Sequence, residues 1–305
     1  MSANQFYLPA GSTAAGRYAT VVTPESAGWG YSGLKVLELG PGQSQAFDTG
    51  EAETLILPLN GSCTVTCDDT VFEVQGRADV FSRVTDFVYA PRDARVTVHS
   101  ELGGRFALPS ARCTRRLAAR YGPAEDVPVE LRGAGRASRQ VNNFCTPETF
   151  AADKLIACEV LTPGGNWSSY PPHKHDEQKE GEAELEEIYY FEVAEPMHGP
   201  QASPEPQGFG WQRVYGTPER PIEVSEAVRS GDVVVIPHGW HGPSAAAPGY
   251  DLYYLNVMAG PGQDRAWLIS DDPAHGWVRT AWATEEIDPR LPLSSALAKE
   301  GNDAR

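Results

Sequence analysis

Tyr170-Pro-Pro-His173-Lys-His175-Asp176 is the stretch on which the fold can be read, together with two partners downstream. One is Glu187, in Leu185-Glu186-Glu187-Ile-Tyr-Tyr-Phe191. The other is His241, in Gly231-Asp-Val-Val-Val-Ile-Pro237-His-Gly239-Trp-His241. Side chains two residues apart on a strand share a face. His173 and His175 therefore point one way and Lys174 the other. The apolar runs after Glu187 and before Pro237 read as buried strands. A Glu on one strand and a His after a Pro-x-Gly turn can close a cluster with the His pair. Three imidazoles and a carboxylate suit a first-row divalent metal: Zn, Mn, Fe, Co or Ni. Glu187 is preferred to Glu186 because it leads the apolar run, and His238 competes with His241 on the same turn.

Working outward, the rest of the chain reads as β-scaffold. Glycine (30) and proline (25) are abundant for 305 residues, which implies many turns. Short apolar runs recur at Tyr18–Thr23, Leu34–Leu39, Thr54–Leu59, Cys63–Cys67, Val71–Gln75, Asp86–Ala90 and Arg95–His99, with Asn60-Gly61 predicting a hairpin turn. The second half repeats the rhythm with Leu155–Leu161, Trp167–His175, Ile188–Val193, Trp211–Tyr215, Ile222–Val228, Val233–Ile236 and Tyr250–Met258. Even spacing with turn residues between strands predicts sandwiches or barrels. Residues 107–140 are Arg-, Pro- and Gly-rich and read as the connection between two halves, their arginines solvated or ion-paired. The division expected is 1–140, including that connection, and 141–305. A Pro-rich loop follows from Glu195 to Gly208.

The halves resemble each other. Leu39-Gly-Pro41-Gly42 matches Leu161-Thr-Pro163-Gly164, Glu53-Thr-Leu-Ile-Leu matches Glu187-Ile-Tyr-Tyr-Phe, and Asp86-Phe-Val-Tyr-Ala-Pro91 matches Val233-Val-Val-Ile-Pro237. The first half lacks the His pair, and Arg95 stands where the second half has His241. The metal cluster is thus expected in the second half alone.

A formal charge of −16 argues against nucleic-acid or anionic-membrane partners, which need a basic surface. No basic and then apolar leader opens the chain, and no apolar run reaches the roughly 18 residues of a membrane span. The five cysteines form no CxxC pair and read as reduced thiols, so a cytoplasmic protein is expected.

Gln212, Arg213, Tyr215 and Asn256 place polar groups among apolar strand residues, as a barrel interior holding an acidic sugar requires, with Arg213 the candidate for the sugar's carboxylate. His275, in a compact group with Asp272 and Trp277, is a further candidate. His99 and His198 read as ordinary surface or core histidines.

These motifs resemble the cupins, and more closely the 5-deoxy-glucuronate isomerase family of inositol catabolism. The resemblance runs through Pro172-His173-Lys-His175-Asp176, Glu186-Glu187-Ile-Tyr-Tyr, Gly208-Phe-Gly-Trp-Gln212-Arg213-Val-Tyr215, Gly239-Trp-His241, Tyr253-Tyr-Leu-Asn256-Val-Met-Ala-Gly260 and Asp272-Pro-Ala-His275-Gly-Trp277. It implies an all-β bicupin, two β-barrel or jelly-roll domains in tandem with the metal in the C-terminal barrel, held by His173, His175, Glu187 and His241. It implies isomerisation of 5-deoxy-D-glucuronate to 2-deoxy-5-keto-D-gluconate, and a homo-oligomer. Two features depart from the general cupin pattern: eleven residues separate His175 from Glu187, and the turn before His241 is one residue short. An aldose–ketose isomerase also needs a proton shuttle. Lys174 and Tyr254 are the candidates carried forward, beside a carboxylate near the metal and the other tyrosines of the two Tyr-Tyr pairs. A metal-dependent cupin dioxygenase and a non-catalytic sugar-acid-binding cupin are the rival readings.

Overall fold

The computed structural model describes residues 4–194 and 208–296. His198, most of the Pro-rich loop and the end of the tail lie outside the described residues.

Among the described residues the architecture is nearly all β, in three sheets of seven, nine and six strands. The seven-stranded sheet is central. Its order is Tyr7–Leu8, Val233–Ile236, Glu186–Val193, Leu252–Ala259, Ile156–Thr162, Arg139–Cys145 and Val129–Arg132. One face meets the six-stranded sheet (Glu223–Val228, Gly210–Tyr215, Trp240–Ala246, His173–Lys174, Ser270–Asp271, with Trp167–Ser168 beside Trp240–Ala246) and encloses a core containing Val141, Val160, Tyr189, Phe191, Val214 and Tyr254. The other face packs on the nine-stranded sheet of the first half through Ile188, Tyr190, Tyr253, Leu255, Leu55 and Leu57. That nine-stranded sheet curls around a third core built from Leu37, Ile56, Val65, Val88, Val96 and Phe106. A sheet covered on both faces needs apolar side chains at every position. This is why Ile188–Phe191, Val233–Ile236 and Leu252–Ala259 are apolar runs, interrupted by Asn256 alone, and buried residue after residue.

Two glutamates tie the halves together. Glu53 accepts the backbone N–H groups of Asp153, Lys154 and Leu155 (2.8, 2.6 and 2.7 Å). Glu186 accepts those of Gly30, Tyr31 and Ser32 (2.6, 2.9 and 2.8 Å). Each carboxylate thus gathers three donors at the start of a strand in the opposite half. Buried between the sheets, Arg77 pairs with Glu159, which also accepts from Tyr253 Oη (2.8 Å) and Asn142 Nδ2 (3.1 Å).

Three sequence expectations change. Asn60-Gly61 is no hairpin. Ala52–Cys67 is one strand of 16 residues, and Gly61, at φ +82°, sits where its pairing register shifts. Before the shift it pairs with Gly104–Arg112; beyond it, Thr64–Cys67 pair with Val96–His99. A Cβ on Gly61 would stand 2.5 Å from the Gly103 carbonyl, so the bend needs glycine. Next, residues 107–140 are not one connection. Gly104–Arg112 is an interior strand of the nine-stranded sheet, and Val129–Arg132 already belongs to the central sheet. The strand Arg139–Cys145 runs across the division expected at 140, while the N-terminal Tyr7–Leu8 pairs with Val233–Val234 of the second half. Finally, Glu53 plays the part of Glu186 rather than of Glu187, so the internal match is offset by one residue. Both faces of these strands are apolar, and hydrophobic pattern alone does not set that register.

Candidate metal centre

His173 lies on a two-residue strand between His241 on one side and Asp271 on the other. His175 follows one residue past the strand. Glu187 comes from the central sheet, where alternation sends it, Tyr189 and Phe191 into the second-half core and sends Glu186, Ile188 and Tyr190 the opposite way. His175, Glu187 and His241 are all buried, and one ligand atom from each lies within 4.8 Å of the others. His173 is outside that trio, but its ring centroid is 4.5 Å from that of His241.

The imidazoles are oriented from behind. Nδ1 of His173, His175 and His241 meets the backbone carbonyl of Pro171 (3.3 Å), Leu185 (3.1 Å) and Gly239 (3.1 Å). A carbonyl only accepts, so each Nδ1 carries its proton and each neutral ring presents an Nε2 lone pair. Nε2 of His175 and Nε2 of His241 each lie 3.1 Å from Glu187 Oε2. The His241 contact does not have hydrogen-bond geometry, which leaves that buried nitrogen without a partner. Lone pairs converging on a carboxylate repel unless a cation stands between them. Donors each about 2.1 Å from a common ion stand about 3.0–3.4 Å from one another, and the two 3.1 Å distances to Glu187 Oε2 fit that spacing. Nitrogen and oxygen donors braced by backbone carbonyls form a donor set that could hold a metal ion. Proton affinities follow the same field. Burial, with the charges of His241 and His175, pushes His173 well below the ordinary imidazole range. Burial also opposes the charged forms of His175 and Glu187, but their contact overrides it, raising the first and lowering the second.

The family model that matches this chain, described as the KduI/IolB family, covers residues 6–278. The chain belongs to the KduI/IolB family. It is 42% identical over 260 residues to a 5-deoxy-glucuronate isomerase of Geobacillus kaustophilus, spanning 84% of this chain and 89% of that one. It is 38% identical to the enzyme of the same name from Bacillus subtilis, again over 260 residues, spanning 84% and 91%. Among solved structures, an IolB-like protein from Salmonella typhimurium superposes with a TM-score of 0.80 at 34% identity, over 90% of this chain and 99% of that one. An oxalate decarboxylase from Bacillus subtilis superposes with a TM-score of 0.60 at 12% identity, over 89% and 80%, which bears on the cupin-like fold alone.

In this KduI/IolB-family chain the remaining candidate residues divide by face. Tyr254 is inside. Its ring stacks on that of Tyr189, with centroids 4.9 Å apart and planes 9° apart, and the two phenols meet Ser169 Oγ at 3.1 and 2.8 Å. Burial pushes the Tyr254 phenol up to about 12, so it is neutral and can donate. Asn256 is also inside, its Nδ2 buried without a hydrogen-bond partner, and Gln212 is inside, accepting from Ser244 Oγ. Lys174 is not at the centre. Its Nζ donates to Asp176 (2.5 Å) and Glu182 (2.8 Å), and Asp176 Oδ2 accepts from the Gly239 N–H (2.9 Å). Burial opposes its charge, but the carboxylates outweigh it and raise its pKa, so Lys174 stays an ammonium ion and cannot serve as a base. It ties the long loop after His175 to the turn before His241. Arg213 and Tyr215 are on the outer face. Arg213 is exposed and stacks on the Tyr215 ring at 4.3 Å, and Tyr215 Oη donates to Asp272. Gln212 and Val214 take the inner face of that strand, opposite Ser244 and His241. The barrel-interior placement expected for Arg213 and Tyr215 therefore fails by one residue of alternation. His275 is half-buried, with its ring 6.3 Å from Tyr170, away from the trio. His238 is likewise outside it.

Sequence reasoning passed over Ser169, and it treated Arg139 as part of a solvated or ion-paired arginine group. Arg139 is buried. Nothing local in the sequence marks it, because its burial comes from strand pairing and from Trp282, far along the chain.

Proposed function

We propose that this chain is a metal-dependent aldose–ketose isomerase that converts 5-deoxy-D-glucuronate to 2-deoxy-5-keto-D-gluconate. The carrying observation is the buried His175–Glu187–His241 trio, with His173 beside it, in a chain about 40% identical to proteins of that name. No helix among the described residues is long and apolar enough to cross a membrane. A small acidic sugar handled in the cytoplasm suits this reading.

The reaction moves hydrogen from C2 to C1 and a proton from O2 to O1. Its difficulty is the weak acidity of the C2–H bond. His173, His175, Glu187 and His241 would hold a divalent metal, which supplies Lewis-acid stabilisation of the negative charge that develops on the two oxygens. The backbone carbonyls behind the three histidines hold their Nδ1 atoms and leave Nε2 free, those of His175 and His241 each 3.1 Å from Glu187 Oε2. Tyr254 and Tyr189, neutral and joined through Ser169, are suited to donate to the oxygens and to pass the O2 proton to O1. The apolar wall around them, Phe191 and Val214 included, keeps bulk water from the reacting carbons.

Proton NMR of metal-loaded protein with 5-deoxy-D-glucuronate in D2O tests the reading, with His241→Ala as the control. The expected result is loss of the C1 aldose signals and growth of ketose signals carrying deuterium at the new C1, absent in the control. Unchanged substrate at one metal per chain would overturn the assignment, and oxygen consumption in its place would point to a dioxygenase.

A further inference from the structure

Arg139 opens the strand Arg139–Cys145. Along it Val141 points into the second-half core, while Gln140 and Asn142 point the other way, toward Ser294 and Glu159. Two residues before Val141, Arg139 takes the inward face. It is 5% exposed. A guanidinium carries five N–H donors. Here Nη1 donates to the Ala137 carbonyl (3.1 Å), and the cation lies 5.5 Å from the centroid of Trp282. No carboxylate pairs with it among the described residues, in contrast to its neighbours: Arg132 pairs with Glu130 and Arg279 with Asp271.

A buried cation without a counter-charge is costly, and proteins seldom keep one without use. Its own proton affinity falls to a pKa of about 10 through burial, with Arg132 and Arg279 adding to the effect. Val141 on this same inward face pairs with Val160, and Val160 with Tyr254. Tyr254 is joined through Ser169 to Tyr189, whose ring lies 6.1 Å from that of His241, so the face that carries Arg139 leads to the candidate centre. Ala137 and Trp282, which touch Arg139, line a cavity of about 310 Å³ together with Trp167, Tyr170 and Trp277. Aromatic walls beside a fork of unused N–H donors suit a sugar that ends in a carboxylate, since the planar guanidinium takes both oxygens at once.

We propose that Arg139 binds the carboxylate of the acidic sugar, at the end of the substrate away from the reacting aldehyde. This rests on the isomerase reading for the identity of the sugar, and on the geometry of Arg139 for the contact. Arg139 is a specificity residue that holds the substrate with its C1–C2 end at the histidine cluster. Arg213, on the outer face, has no part in it.

The test compares 5-deoxy-D-glucuronate with its neutral counterpart 5-deoxy-D-glucose, by calorimetric binding and by initial rates, on metal-loaded protein. The variants are Arg139→Gln, Arg139→Lys and Arg213→Gln. Wild type is expected to favour the charged sugar by about 10- to 100-fold, the range of a charge-assisted paired contact. Arg139→Gln is expected to bring that ratio close to one, through a raised KM for the charged sugar. Arg139→Lys keeps the charge without the fork and falls between, and it decides the matter if the Gln variant does not fold. Arg213→Gln keeps the wild-type ratio. A wild type indifferent to the carboxylate, or an Arg139 variant that keeps the full preference, overturns the proposal. Absence of turnover by wild type overturns the isomerase reading instead, and the binding ratio still decides Arg139.

Discussion

Glu186 and Glu187 are adjacent and chemically identical, and the structure gives them opposite duties. Replacing each by glutamine separates them. Glu186 Oε1 accepts from Gly30, and Oε2 accepts from Tyr31 and Ser32. A glutamine can keep one oxygen on Tyr31 and Ser32, but its NH2 group then faces the Gly30 N–H. One charge-assisted bond, worth about 1.5–3 kcal/mol, is lost and the other two weaken. Burial offsets part of that loss, because it raises the Glu186 pKa and so disfavours the carboxylate that is replaced. The net cost is about 2 kcal/mol, or about 4–8 °C in Tm for a domain of this size. Glu187→Gln removes the charge between two imidazoles and should lower metal affinity by at least about tenfold, in line with the loss of a whole ligand charge. Calorimetric melting and metal analysis by mass spectrometry read the two effects. The reasoning is refuted if Glu186→Gln loses metal at unchanged Tm, or if Glu187→Gln holds metal as tightly as wild type.

Lys174→Met should leave Glu182 with only Lys179 (3.1 Å) and Asp176 with only Arg220 (3.3 Å) for a cation, both half-exposed, destabilising the protein by about 2 kcal/mol. The loop after His175 should become open to protease while the shape of the pH–rate profile stays as in wild type; loss of one limb of that profile would make Lys174 a proton carrier after all. Asp153 supplies a pH signature. Burial opposes its charge, but the N–H groups of Thr114 and Arg115 and the Arg115 guanidinium win, lowering its pKa from 3.8 to about 2. A depressed carboxylate stabilises the fold above its unfolded pKa, and that stabilisation fades as pH falls from about 4 to about 2. Denaturant melts across that window should show a shallower acid-side loss in Asp153→Asn.

The sequence alone is enough for the β-class and for singling out His175, Glu187 and His241, which the fold brings into one buried group, because strand period and turn signals are local. His173 and His175 both lie against His241, with ring centroids 4.5 and 4.7 Å away, although His175 is already past the strand, and Pro237 and Gly239 precede His241. What the sequence could not supply was the choice of face where both sides of a strand are buried. Glu186 and Glu187 sit in a sheet packed between two cores, so polarity marks neither side as outer, and the internal match to Glu53 slipped by one residue for the same reason. Arg213 went to the outside and Arg139 to the inside by the same alternation, read against partners such as Ser244, Val160 and Trp282 that are remote in the chain. Asn60-Gly61 is locally a turn, yet a bend in one long strand satisfies it once Gly104–Arg112 and Val96–His99 offer two successive edges to pair with. Strand period is a local property, whereas the side of a sheet that faces a given core is decided only when long-range pairing brings the sheets together.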